Sequence, residues 1–564
     1  MMGSTGAVCA LLAALCGACQ ALQGGMLFPT ESPSREVKDV SGLWSFRADL
    51  SPERNRGFEQ HWYRSPLAQT GPVIDMPVPS SYNDITQDAK IRDFIGWVWY
   101  EKDVWVPARW IQDRGARIVL RVGSAHYYSV LWVNGVKVTE HEGGHLPFEA
   151  DISGVLRQTS GNPCRITIAV NNTLTLETLP PGTIQYMNDR SRYPAGYFVQ
   201  NTDFDFFNYA GIHRPVLLYT TPKAHIDDIS VETTFSDNIG KHQPKSCLNS
   251  RTHTDPMSVK HCIVTSLTPR FVWQIRGKGF DWPLVVKDFN LMKWMGVNSF
   301  RTSHYPYAEE ILQMADRHGI VIIDECPGVG IKDIRSFGNV SLAHHLTVME
   351  ELVRRDKNHP SVVMWSVANE PASEMPPAGF YFKELVSHTK SLDSSRPVTY
   401  ITDSNYARDQ GAQYVDVICV NSYLSWYHDP GHTELISLQL NTQFDDWYDK
   451  YQKPIIQSEY GADAVAGLHS DPPMMFTEEY QTTVLQNYHN VFDQKRKEFV
   501  IGELIWNFAD FMTAQTITRV VGNKKGIFTR QRQPKAGALL LRERYWRIAN
   551  ETGVLPTWAR YPCQ

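Results

Sequence analysis

From about residue 276 onward, apolar β-branched runs alternate with helical stretches of ten or more residues. A strand buried on both faces is apolar throughout rather than at every second position. Repeated units of such strands with helices between them therefore specify a parallel sheet. With this many repeats the expected architecture is a (β/α)8 barrel. Seven runs qualify as strands: Gly296–Arg301, Gly319–Asp324, Val362–Val367, Pro397–Ile401, Val415–Val420, Pro454–Ser458 and Glu503–Asn507. Helical patterns separate most of them, such as Met349–Arg355 and Glu478–Val491. An eighth strand would have to come from residues 263–276, where Val272–Ile275 is the candidate. The expectation is therefore a barrel that lacks its first strand.

Two of these runs end on a carboxylate and then on Pro or Gly. MWSVANEP closes on Glu370 and PIIQSEYGA on Glu459. Barrel strands deliver reactive side chains at their C-terminal ends. Two carboxylates on different strands are what glycoside hydrolysis needs: one protonates the leaving oxygen, the other attacks or stabilises the sugar cation. Taken alone, a Glu before Pro at a strand end is more often a helix-start carboxylate held by the helix dipole. The second Glu on a later strand tips the balance toward chemistry. Arg301 and His304 stand at even odds between filling the barrel and touching the site. His344 and His345 are adjacent on a helical pattern, so they point to different faces and read as surface rather than metal ligands.

Upstream the pattern differs. Residues 22–222 read as all-β, punctuated by Gly and Pro in the manner of a jelly-roll or sandwich. Arg117–Val122, Ser129–Val133 and Arg165–Val170 alternate as strands, and Asn134-Gly135 is a hairpin signal. Residues 236–275, within a middle segment bounded at 223–275, fit neither pattern. KHQPKSCLNSRTHTDP holds one Leu and no other large aliphatic residue, and reads as linker. The chain begins with a short apolar stretch, Gly6–Cys19, followed by Ala21, which reads as a secretion signal over residues 1–21. Sequons at Asn171, Asn339 and Asn550 agree with passage through the secretory pathway. Three of the nine Cys fall in that leader, and the other six show no CxxC spacing, so no structural zinc and at most two disulfides are expected. A net charge of -5 without a long basic run argues against nucleic acid as a partner, and no run is long enough to span a membrane.

The segments GLWSFRAD, HEGGHLPFEADIS, DFFNYAGIHRPVLLYTTP, RGKGFDWP, FRTSHYPYAEE, MWSVANEP, NSYLSWYHD, IIQSEYGA, GELIWNFADF and GNKKGIF occur in this order. Together they resemble the glycoside hydrolase family of the β-glucuronidases, β-galactosidases and β-mannosidases, the mammalian lysosomal β-glucuronidases most of all. The resemblance implies a jelly-roll sugar-binding-like domain, an immunoglobulin-like sandwich and a C-terminal (β/α)8 barrel. It implies that Glu370 is the acid/base and Glu459 the nucleophile. Asn369 would bond the sugar 2-OH, and Tyr423 would sit beside the nucleophile. Asn523 and Lys525 would grip the glucuronate carboxylate with help from Arg519. Trp506 would line the sugar site, and Asp205 would reach in from the first domain. The same likeness implies a cofactor-free, homotetrameric lysosomal enzyme acting on glucuronide conjugates and glycosaminoglycan fragments, with Leu179–Asp205 as a lysosome-directing hairpin. Two departures stand out. The middle sandwich should be about a hundred residues, but few positions separate Tyr219 from Arg276. The segment before RGKGFDWP reads TPRFVWQI, without the histidine that relatives carry at the end of the first barrel strand. A truncated middle segment and an inactive or unstable isoform therefore stand as the alternative to a working enzyme.

Overall fold

The computed structural model describes residues 26–159, 163–236, 239–245, 264–267, 277–514 and 516–553. The N-terminal part is a two-layer β-sandwich. One layer is a four-stranded sheet, and the other is a six-stranded sheet. In the larger sheet Cys164–Asn171 lies between Trp97–Val104 and Tyr128–Val133, antiparallel to both. The Asn134-Gly135 hairpin forms as expected. Both residues adopt positive φ (49° and 81°), the pairing a two-residue turn needs to match strand twist. The inward faces of the two sheets, including Phe46, Tyr100, Leu120, Ile168 and Leu218, form one core. Thr183–Tyr186 and Phe198–Asn201 pair antiparallel, so the Leu179–Asp205 stretch does contain a hairpin.

The barrel has eight parallel strands, closed, and this corrects the expectation of a missing first strand. They are β1 (Val264–Leu267), β2 (Ser299–Arg301), β3 (Val321–Glu325), β4 (Val362–Asn369), β5 (Val398–Thr402), β6 (Ile418–Asn421), β7 (Ile455–Glu459) and β8 (Val500–Ile505). Strand β1 pairs with β2 at Ser266↔Ser299 and with β8 over Val264–Leu267. It lies within residues 263–276, but not at Val272–Ile275, which fall outside the described residues. A four-residue strand inside a polar context gives too short an apolar run to register as one. The β8 estimate was also late by several residues.

Seven helices follow the strands among the described residues: α1 (Trp282–Met295), α2 (Glu309–His318), α3 (Asn339–Asp356), α4 (Pro376–Leu392), α5 (Ile436–Tyr451), α6 (Glu478–Lys495) and α7 (Ala536–Thr552). Strands β5 and β6 are joined by turns alone. The continuous apolar runs have a direct explanation here. Ile322, Ile418, Ile455 and Ile505 face the helices in one core, while Ile323, Cys419, Ile456 and Leu504 fill the barrel interior in another. Neighbours along each strand are thus both buried.

Between the two domains, Ser230–Ser236 and Ile239–Lys245 form an antiparallel two-stranded unit, within the segment read as a truncated sandwich. It docks on the loop after α3: Asn358 donates to the Ile229 carbonyl (2.7 Å) and accepts from Val231 N–H (2.8 Å). The sandwich itself is joined to the barrel by buried ions. Arg121 bridges Glu149 of the sandwich (2.6 Å) and Glu309 at the start of α2 (2.7 Å). Cys164, Cys326 and Cys419 are buried free thiols. Among the described residues no helix is long and apolar enough to cross a membrane.

Candidate active site

The C-terminal ends of the strands converge on a cleft of about 930 Å³. Seven of the nine singled-out residues line it: Glu370, Glu459, Asn369, Tyr423, Trp506, Asp205 and Arg519. Asn523 and Lys525 lie fully buried immediately behind it.

Glu459 is the last residue of β7 and sits in a built cationic nest. Arg301, ending β2, donates to its Oε1 at 2.8 Å. His304 Nε2 is 3.7 Å from the same oxygen, and Tyr423 O–H donates to Oε2. Burial works against the charge, but Arg301, His304 and Tyr423 outweigh it and hold the carboxyl down at about 2. Both residues left at even odds by the sequence, Arg301 and His304, therefore belong to the site. Arg301 also donates to Asn369 Oδ1 (2.9 Å) and lies 3.1 Å from Glu325 at the end of β3. One buried guanidinium thus ties together the ends of β2, β3, β4 and β7. Its grip on Asn369 Oδ1 leaves the amide nitrogen as the donor end for a ligand.

Glu370 follows β4 directly and has the opposite environment. Burial, then Asp403 and Glu459 nearby, push its carboxyl up to about 8. Lys332, held by Asp403 at 3.0 Å, only partly offsets this. Asn421 at the end of β6 donates to Glu370 Oε1 at 2.8 Å and is itself oriented by Ser458 (2.9 Å). Glu370 has φ of 44°, a left-handed conformation that costs a non-glycine residue about 1–3 kcal/mol. Its N–H is tied to the Ile401 carbonyl at 2.8 Å, which holds that conformation in place. Two buried carboxyls whose environments drive them apart, one to a protonated state and one to an ionised one, are the signature of an acid and nucleophile pair.

The second half of the site lies above β8. Arg519 forks onto the Asp205 carboxylate (2.6–3.0 Å), and Asn523 Nδ2 donates to it at 3.1 Å. Asp205 therefore meets the residues assigned to the carboxylate before any sugar hydroxyl. Its side chain remains 38% exposed at the cleft. Lys525 is fully buried, 2.5 Å from Asp463, and donates to Tyr427 O at 2.9 Å. Arg519 also donates to the Tyr427 oxygen. With both lone pairs facing cations, the Tyr427 hydroxyl proton is free to point at an incoming acceptor. Tyr427 and Asp463 were not singled out from the sequence. Tyr427 sits in the segment NSYLSWYHD and Asp463 directly follows IIQSEYGA, but only the folded loops bring them to Lys525.

Trp506, just after β8, closes one wall. Its ring centroid is 5.0 Å from that of His304. The His344-His345 pair is not a surface feature. His345 is fully buried, bonded to the Tyr381 hydroxyl and the Val367 carbonyl at 2.9 Å each, and His344 meets the Tyr127 hydroxyl at 2.8 Å. A helix face turned toward a neighbouring strand and domain can bury histidines if partners are supplied. Among the described residues no cluster has metal-binding geometry.

Residues 37–222 match the sugar-binding domain of the glycosyl hydrolases family 2, and residues 272–550 match that family's TIM barrel domain. The chain belongs to glycosyl hydrolase family 2. The β-glucuronidase of Felis catus is 57% identical, aligned over all of this chain and 98% of its own length. That of Mus musculus is 58% identical over 97% of this chain and 96% of its own. Among solved structures, a β-glucuronidase of an uncultured Clostridium sp. superposes with a TM-score of 0.83 at 41% identity, covering 93% of this chain and 100% of its own. The alignment to the Felis catus protein runs over 642 positions, more than the 564 residues present here, so that relative carries residues this chain lacks.

Proposed function

We propose that this chain hydrolyses β-D-glucuronides with retention of configuration. The observation that carries the reading is the opposed pair: Glu370 held protonated at neutral pH and Glu459 held ionised, both lining one cleft. Glu370 would protonate the glycosidic oxygen as the bond breaks. Glu459 would attack the anomeric carbon from the opposite face and form a glycosyl-enzyme. Glu370, now ionised, would then take a proton from the water that releases the sugar. Asn369 would bond the sugar 2-OH, an interaction that strengthens as charge develops. Both proton transfer and attack come from carboxylates, so the reaction needs no cofactor.

The choice of a uronic acid rests on Asn523, Lys525, Arg519 and Tyr427. These donors now rest on Asp205, Asp463 and Tyr427; a uronate carboxylate could share them through charge-assisted bonds, whereas a neutral hexose offers no anionic acceptor in exchange. That cluster disfavours a β-galactosidase or β-mannosidase reading. The β-glucuronidases at 56–58% identity support the same substrate class.

The proposal extends to the domain bounds, the modifications, the compartment and the assembly. They comprise a leader over 1–21, a sandwich over 22–222, a shortened middle segment over 223–275 and a catalytic barrel over 276–564. They also comprise glycosylation at Asn171, Asn339 and Asn550, delivery to the lysosome, homotetramer formation, and glycosaminoglycan fragments among the substrates. Asn339 and Asn550 are exposed, which suits acceptor sites. The likeness to mammalian β-glucuronidases supports the compartment.

The test is Glu459→Ala in the full chain, assayed on an activated aryl β-glucuronide with and without azide. Loss of turnover with partial rescue by azide, yielding the α-glucuronosyl azide, is expected. Rescue appearing on that face with Glu370→Ala instead would reverse the two roles.

A further inference from the structure

The outer face of the six-stranded sheet carries an apolar cluster of its own. Trp62, Trp99, Val130, Trp132 and Ala169 are buried in it, and Phe58, Tyr63, Trp97 and Tyr128 pack against them half-buried. The solvent side of an antiparallel sheet is ordinarily polar. A contiguous aromatic surface there marks a place where something binds. Over it lies a hollow of about 630 Å³, within the range of about 300–1,000 Å³ that takes small organic ligands. Trp97, Tyr128, Phe58 and Tyr63 contribute rings to its wall, and Asn55, Lys137 and Glu140 contribute polar groups. Tyr128 O–H donates to Glu140 at 2.7 Å, and Lys137 pairs with the same carboxylate at 2.8 Å.

The strand register says what can occupy this face. Asn171 ends the strand Cys164–Asn171 and stands directly opposite Trp97 on one neighbour and Tyr128 on the other. Ala169 belongs to the outer cluster, and side chains alternate along a strand, so Asn171 projects on that same face. The Trp97 and Tyr128 rings stand 5.8 Å apart, edge to face, although their strands lie two spacings, about 9.5 Å, apart. They therefore lean toward each other across the Asn171 position and leave that residue half-buried. Thr173 N–H donates to Asn171 Oδ1 at 2.9 Å, which turns the amide oxygen toward the chain and the nitrogen away from it. Asn171-Asn172-Thr173 is a glycosylation sequon. A sugar on that nitrogen starts within reach of both rings.

We propose that this aromatic face is covered by the chain's own N-linked glycan at Asn171, whose N-acetylglucosamine core lies on Trp97 and Tyr128 and runs into the hollow. The C–H faces and acetyl methyl groups of these sugars are apolar and pack on aromatic rings, and their hydroxyls meet Lys137 and Glu140 at the rim. The glycan would then act as a covalently attached part of the sandwich rather than a solvated appendage. This rests on the assignment of Asn171 as a glycosylation site and is independent of the substrate assignment.

The test uses the full chain secreted from mammalian cells kept to high-mannose glycans, fed N-acetylglucosamine labelled with 13C at the acetyl methyl, and trimmed by endoglycosidase H to one sugar per site. Mass spectrometry of the Asn171 peptide is read first. An unmodified Asn171 would overturn the glycosylation assignment and the proposal with it. With Asn171 occupied, the methyl signal that Thr173→Ala removes should lie upfield of its position in the urea-unfolded chain, shifted by the ring currents of Trp97 and Tyr128. Thr173→Ala should lower Tm by about 2 °C, and Thr173→Ser, which keeps the sequon, should not. Trp97→Leu should return the signal toward its unfolded position and shrink the Tm loss caused by Thr173→Ala. The signal in the unmodified chain decides the matter even if Trp97→Leu fails to fold. An occupied Asn171 whose methyl signal stays at its unfolded position would overturn the proposal. Loss of self-association in Trp97→Leu, with that signal unshifted, would assign the face to a second copy of the chain instead.

Discussion

Glu370 and Glu459 occupy equivalent places at the C-terminal ends of barrel strands β4 and β7, yet their surroundings set opposite protonation states. Burial beside Asp403 raises one to about 8, and Arg301 and His304 lower the other to about 2. The folded state thus holds a proton on Glu370 that the unfolded chain releases near 4.5. A carboxyl with a raised folded pKa favours folding below its unfolded value and loses that advantage as pH rises toward 8. Across the window from about 4.5 to 8, Glu370 should lower stability by at most about 1.4 kcal/mol per pH unit. Glu370→Gln should therefore flatten the fall in Tm between pH 5 and pH 8 while slowing turnover most for substrates with poor leaving groups. A variant whose Tm falls as steeply as the parent's would show that Glu370 does not carry that proton. At the same scale, Lys525→Ala should cost about 1.5–3 kcal/mol in kcat/KM on a β-glucuronide and far less on the matching β-glucoside. Equal losses would separate Lys525 from carboxylate recognition. The proposed catalytic pair was legible because strand-ending carboxylates stand out against apolar runs. Tyr427, Asp463 and Lys332 were not, because each joins the candidate site only through a loop meeting that no local pattern encodes.

The strands and helices of the barrel were read from their apolar runs, and most strand positions fell within a few residues of where they form. The exception is β1. Its four residues lie after a long polar stretch, and its role is set by the two open edges of β2 and β8 rather than by its own length. Closing those edges completes the hydrogen-bond ladder that a seven-stranded barrel would leave bare. Proline in the middle of this strand would remove a ladder hydrogen bond and force φ away from the strand value. Ser266→Pro should cost about 1–3 kcal/mol through the ladder bond it removes. It should lower the chemical-denaturation midpoint and activity together. A midpoint unchanged from the parent's would show that β1 does not close the barrel. His345 illustrates the other limit. Its helix face turns inward, and the partners that make burial tolerable, Tyr381 and the Val367 carbonyl, come from α4 and β4.

At the scale of the whole molecule, the sandwich contributes Asp205 to the site and rests on the barrel through buried charge. Arg121 is bonded to Glu149 in its own domain and to Glu309 in the barrel, all largely shielded from solvent. Removing one member of such a buried set strands the others, at a cost of about 3–5 kcal/mol. Arg121→Met should accordingly separate the unfolding of the two domains in a calorimetric scan, and a single unshifted transition would count against this docking. The domain pattern was legible from the change between alternating and continuous apolar runs. The shortened middle segment was legible as a compositional gap, and the two strands formed by Ser230–Ser236 and Ile239–Lys245 lie within it. Whether a chain with that gap still hydrolyses glucuronides is open to one direct measurement. The purified full chain is given 4-nitrophenyl β-D-glucuronide, and the first-formed sugar is followed by proton NMR. Release of the β-anomer of glucuronic acid is expected, with little turnover of the matching β-galactoside. No hydrolysis by a folded chain, or release of the α-anomer first, would contradict it.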